Sequence, residues 1–241
     1  MEATENTGFL YPFIAAEERD ERPLLAALAG SARAKAAESA ALQQATLTAA
    51  ADLVAACGAA MAERFAAGGR LYAFGNGGSS TDCATFAALF ASPPDGRPLP
   101  ALNLSADQAV VTALGNDVGF DLIFSRQIIA HGGSRDIAVA FSTSGSSRDL
   151  MAALREARGR GLLTVGFAGY DGGEMAHSDV VDHCFVVRSQ SVHRIQESQA
   201  LLGYHLWAAT EQAMHKTVDR CVHPDVHNGP SSGPNPHGGP E

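Results

Sequence analysis

Basic residues are scarce in this chain: 17 Lys and Arg stand against 26 Asp and Glu in 241 residues, a formal charge of −9. That balance argues against a nucleic-acid surface, which needs a basic stripe, and against a surface for anionic membranes. Cysteines number four (Cys57, Cys83, Cys184, Cys221) and no two form a CxxC pair. A cytoplasmic chain with reduced thiols is the simplest expectation. No apolar run approaches ~20 residues, so no segment is expected to span a bilayer. The opening Met1-Glu2-Ala3-Thr4-Glu5 is acidic and lacks the basic start of a signal peptide. Also missing are a Gly-Lys-Ser/Thr phosphate loop and a Gly-x-Gly-x-x-Gly turn, which argues against nucleoside triphosphates and dinucleotides as ligands.

What is present is a pair of small-residue loops. The first is Gly75-Asn76-Gly77-Gly78-Ser79-Ser80, after the apolar run Leu71–Phe74. The second is Ser142-Thr143-Ser144-Gly145-Ser146-Ser147, after Ile137–Phe141. Each precedes a stretch with helical spacing. Strand, small-residue turn and helix together aim free backbone N–H groups and a positive helix end at an anion. Either loop alone is equally well read as a capped helix without a ligand, because Ser and Thr are common N-caps. Two such loops in one domain point to one phosphate site, and so to a phosphorylated small molecule.

The length fits one domain of ordinary size with appendages. Residues 1–22 carry Phe9, Tyr11 and Phe13 among acidic residues and are expected to form an arm. Residues 23–68 are Ala-rich, with high helix propensity. They are expected to form a helical hairpin interrupted near Gly30 and Ser31, whose apolar face packs on a second copy of the chain. From residue 69 to 217 strands alternate with helices, the pattern of a parallel sheet covered on both faces. Ligands then belong beyond the carboxyl ends of the strands, where both serine loops fall. Residues 218–241 turn Gly/Pro-rich and are expected to be a disordered tail. Within it, Cys221, His223, Asp225 and His227 alternate, a weak metal-binding pattern.

Five motifs occur in order: Gly75-Asn76-Gly77-Gly78-Ser79; Gly115-Asn116-Asp117 with Phe124-Ser125-Arg126; Ser142-Thr143-Ser144-Gly145-x-Ser147; Gly172-Gly173-x-Met175-Ala176; and Arg194-Ile195-Gln196-Glu197. Through them, over roughly residues 40–215, the chain resembles the sugar isomerase (SIS) domain, specifically its phosphoheptose isomerase branch. The resemblance implies a flavodoxin-like α/β sandwich around five parallel strands, a homotetramer with sites at subunit interfaces, and interconversion of sedoheptulose 7-phosphate with an aldose phosphate. It also implies that Gly77, Gly78, Ser79, Ser142, Thr143, Ser144 and Ser147 form the phosphate site, and that Asn76 and Asp117 face the sugar hydroxyls.

The same resemblance implies zinc, and here the sequence departs from it. The family's His-Phe-Ala-Glu-Glu-Leu supplies two ligands, but this chain reads Thr85-Phe86-Ala87-Ala88-Leu89-Phe90. Gln196 keeps a third position. The fourth is Tyr204, with His205 one step out of register. No cofactor is therefore assigned, with Gln196 and His205 as the remaining weak metal candidates. Aldose–ketose isomerisation needs a base for a carbon-bound proton and an acid for the carbonyl. His193 and Glu197, four apart on one helix face beside Gln196, are the candidate acid–base pair.

Overall fold

The computed structural model describes residues 22–222, with side chains described to residue 215. The expected N-terminal arm and the His-containing tail lie outside the described residues. Strands β1 (Leu71–Gly75), β2 (Ala101–Asn103), β3 (Ile137–Phe141), β4 (Leu163–Gly169) and β5 (His183–Val187) form one sheet in the order β2-β1-β3-β4-β5. Every pair is parallel, and Gly75 stands opposite Phe141. This order reverses direction at β1, so the crevice between β1 and β3 is the topological switch point, where doubly wound sheets take their ligands. The flavodoxin-like α/β expectation is met.

The helices are α1 (Arg22–Ala66), α2 (Gly78–Ala91), α3 (Gln108–Asp117), α4 (Ile123–His131), α5 (Arg148–Gly159), α6 (Gly173–His177) and α7 (Val192–Val222). Strand side chains alternate between two cores. Leu71, Ala73, Ile137, Val139, Phe141, Val165, Phe167, Phe185 and Val187 face α1, α2 and α7. Tyr72, Phe74, Ala138, Ala140 and Ala168 face α4, α5 and α6. The first core is held by a ladder of rings. Phe141 and Phe167 stack at 4.3 Å, Phe167 and Phe185 at 5.0 Å, and Phe86 of α2 meets Phe141 and Phe167 edge-on. Each such pair adds about 0.5–1.5 kcal/mol beyond area burial. The ladder ends directly beneath the second serine loop, so that loop rests on a rigid floor.

The expected hairpin over residues 23–68 is instead one continuous helix of 45 residues. Gly30 is exposed, with no neighbour where a Cβ would stand. Its interior-helix cost of about 1 kcal/mol is outweighed by the surrounding alanines. The helix is also more apolar than anticipated, long and apolar enough to qualify by composition as a membrane span. Its C-terminal part nevertheless belongs to the first core, with Cys57, Met61 and Phe65 buried against the sheet and α7. Residues 22–38 are exposed along their whole length.

Candidate functional site

The register that sets Gly75 beside Phe141 brings the two serine loops together at one end of the sheet. They enclose a cleft of about 80 Å³ lined by Asn76, Ser79, Phe141, Ser142, Thr143, Ser144, Ser147 and Leu150. Helix α2 opens at Gly77 and α5 at Ser147, and neither N-terminus has a side-chain cap. That separates the two readings of the loops. If their serines served as N-caps, the hydroxyls would be spent on the first helical N–H groups. Instead, two positive helix ends converge on the cleft uncapped.

The second loop is stiff. Ser142 Oγ accepts from Gly145 N at 3.0 Å and lies 3.4 Å from Ser144 Oγ, which accepts from Ser146 N at 3.3 Å. Ser146 Oγ accepts from Glu174 N at 3.0 Å, and Met175 N donates to Gly145 O at 2.8 Å. Gly145 has φ +66°, and a Cβ there would stand 2.1 Å from Gly172 O. No other residue fits that contact between the loops after β3 and β4. At Gly78 a Cβ would meet the amide end of Gln196, with Nε2 at 2.5 Å, and would displace it. The first turn of α2 and the first turns of α7 come into contact there.

Two carboxylates that sequence reasoning passed over support the cleft. Asp149, buried in the first turn of α5, accepts from Asn76 Nδ2 at 2.7 Å and so ties the two loops together. Burial raises its pKa, and the Asn76 hydrogen bond opposes that shift. Asp82 lies one turn beyond Ser79 on α2 and accepts from Gln196 Nε2 at 3.1 Å. Burial raises its pKa as well, against the Gln196 hydrogen bond. Asp82 was detectable as an i+3 neighbour of Ser79 on the ligand-facing helix. Asp149 follows Ser147 by two, as a first-turn acid does.

The other predicted residues fall as follows. Gln196 faces α2, bonded to Asp82. His193 and Glu197 lie on the exposed flank of α7. Asp117 does not line the cleft. The segment Gly115-Asn116-Asp117 is the last turn of α3, and there Asp117 is exposed and accepts from Asn116 Nδ2. His205 is not brought to Gln196 either. One residue out of register is about 100° around a helix, and His205 lines the groove between α1 and α7 with Leu47 and Val54.

The zinc implied by the resemblance does not fit these side chains. The corresponding space between α2 and α7 is lined by Asp82, Thr85, Phe86, Leu89, Phe141, Gln199, Ala200 and Gly203. Thr85 and Leu89 bring no imidazole or carboxylate to this space, and Tyr204 is 47% exposed and not part of its lining. Among the described residues no group of three or more His, Cys, Asp or Glu is placed to hold a metal. A structural or catalytic zinc takes at least three such donors.

The SIS domain model matches residues 35–169. A phosphoheptose isomerase from Solidesulfovibrio magneticus is 40% identical over 170 residues, covering 70% of this chain and 82% of the relative. One from Roseiflexus is 37% identical over 171 residues, covering 70% and 86%. Among solved structures, the phosphoheptose isomerase of Neisseria gonorrhoeae superposes with a TM-score of 0.71 at 31% identity, covering 77% of this chain and 99% of that one. That of Francisella tularensis gives 0.71 at 27% identity, covering 76% and 97%.

Proposed function

Because the chain belongs to the SIS-domain family, on the branch of the phosphoheptose isomerases, we propose that it binds a phosphorylated sugar at the β1–β3 crevice and isomerises it between aldose and ketose. The observation that carries this reading is the pair of uncapped helix N-termini converging on one serine-lined cleft. Backbone N–H groups and the hydroxyls of Ser79, Ser142, Thr143, Ser144 and Ser147 take the phosphate, with Gly77 and Gly78 letting the backbone approach. Asn76 forms the wall on the sugar side. The cleft has room for little more than the phosphoryl group, so the carbon chain extends outward from it. Sedoheptulose 7-phosphate, the sugar phosphate that the resemblance implies, is the first to test. Calorimetric binding together with turnover followed by NMR checks both halves of the proposal. Binding without turnover would instead favour a sugar-phosphate sensor, a reading supported by the missing zinc donors.

We further propose a cytoplasmic homo-oligomer, a tetramer, with α1 as the contact. Leu24, Leu25 and Leu28 are 47%, 58% and 57% exposed on one stretch of α1. Three leucines of this exposure within five residues of one helix support a contact with another chain there. His193 and Glu197 are exposed in the isolated chain, and a neighbouring copy over α7 would bring them into an enclosed site. Replacing Leu24, Leu25 and Leu28 together with Ser is expected to convert the oligomer to smaller species in light scattering. An unchanged mass would remove α1 from the interface.

A further inference from the structure

The space between α2 and α7 that lacks metal donors is not inert. Asp82 lines it, half-buried, with its carboxylate oriented by Gln196 Nε2 at 3.1 Å. Gln199 lines it too and is fully buried. The Gln199 amide nitrogen is committed to Ser142 O at 2.9 Å, in the second serine loop. Its carbonyl oxygen, Oε1, is buried with no hydrogen-bond partner. A buried acceptor is rarely left unpaired, and the space beside it, about 20 Å³, has room for the one water that would pair it. The same space adjoins the phosphate cleft, because Phe141 lines both. Ser79 and Asp82 lie on successive turns of α2, with about 5–6 Å expected between their Cβ atoms. A sugar whose phosphate sits at Ser79 and whose carbons leave the cleft along the open side of α2 would pass the part-exposed Asp82.

We propose that Asp82 is the catalytic carboxylate of a metal-free aldose–ketose isomerisation, oriented by Gln196. The inference rests on the sugar-phosphate reading above. In the ketose-to-aldose direction the Asp82 carboxylate takes a proton from C1. The electron pair of that C–H bond forms the C1–C2 double bond, and the C2 carbonyl oxygen becomes the enediolate oxygen. The hydroxyl proton on O1 passes to O2, and the O1 electron pair forms the aldehyde. The protonated Asp82 returns its proton to C2. One carboxyl group serves both carbons, and no oxidant or reductant is consumed. His193 and Glu197 are not required for the carbon-bound proton in this scheme.

The test compares the full chain with Asp82→Asn, which keeps an acceptor for Gln196, using sedoheptulose 7-phosphate after chelator treatment. Turnover is expected to fall by at least ~100-fold, the usual scale for losing a positioned acid–base group, while calorimetric affinity stays within about threefold. Deuterium uptake from D₂O at C1 and C2 should be lost together with turnover. Asp82→Ser, smaller and uncharged, is judged by the same split if Asp82→Asn does not fold. Turnover retained by the variant, or affinity lost along with turnover, would overturn the role given to Asp82 and leave the sugar-phosphate reading standing. A parent that binds but does not turn over would overturn the role and keep only the binding half of that reading. A parent that does not bind would overturn both.

Discussion

Removing two hydroxyls from the cleft, Ser79→Ala with Ser144→Ala, is expected to weaken sugar-phosphate binding by about 3–6 kcal/mol, taking ~1.5–3 kcal/mol for each hydrogen bond to a charged group. Both serines line the cleft, and neither side chain caps its helix. Ser144 Oγ does accept from Ser146 N at 3.3 Å, so its loss also loosens the second loop slightly. The fold should tolerate the pair, because neither hydroxyl reaches the ring ladder beneath the loops. Isothermal titration with sedoheptulose 7-phosphate, alongside thermal melts, distinguishes the two effects. Unchanged affinity would mean that the phosphate binds elsewhere.

Gly145→Val is the second large effect, and it acts through the backbone. A branched residue at φ +66° is strained. Its Cβ would also stand 2.1 Å from Gly172 O, a main-chain atom held by its own loop. Strain and overpacking together are expected to cost about 2–6 kcal/mol of stability. The loops after β3 and β4 must separate, which breaks the Met175 N to Gly145 O hydrogen bond and removes the support under Ser144. Binding should be lost even in the fraction that stays folded. A variant with the parent's melting temperature and affinity would show that these two loops do not need their close approach.

Much of this architecture was legible before any coordinates. Short apolar runs such as Ile137-Ala138-Val139-Ala140-Phe141, each followed by a small-residue turn, can hardly be anything but buried parallel strands, and their order placed both serine loops at one end. The boundaries of α1 were not legible, because a run so rich in alanine gives no period and Gly30 looks like a break. The support behind the cleft was hidden for another reason. Asp149 and Asp82 read as solvated helix acids, and only the packing of α5 against loop one and of α7 against α2 shows what they hold. Asp117 was placed at the sugar by the resemblance alone, and in this chain it sits exposed in the last turn of α3, outside the cleft lining. His205 illustrates the limit of register arguments. One residue of slippage is about 100° around a helix, and it leaves His205 facing α1 while Tyr204 is exposed.

The loss of metal donors while the phosphate cleft is retained is the feature any functional account has to explain. Thr85 and Leu89 are not conservative stand-ins for imidazole and carboxylate, and Tyr204 is 47% exposed on the flank of α7. What remains between α2 and α7 is the Asp82 carboxylate bonded to Gln196, with Gln199 beside it anchored to the serine loop. That arrangement suits proton transfer rather than Lewis-acid chemistry.

The most direct measurement is conversion of sedoheptulose 7-phosphate by the full chain, followed by NMR, with chelator and with added zinc. Equal turnover in both conditions is the predicted result, because the described side chains offer no zinc site and the proton chemistry resides in this chain's own groups. Turnover abolished by the chelator and restored by zinc would contradict it.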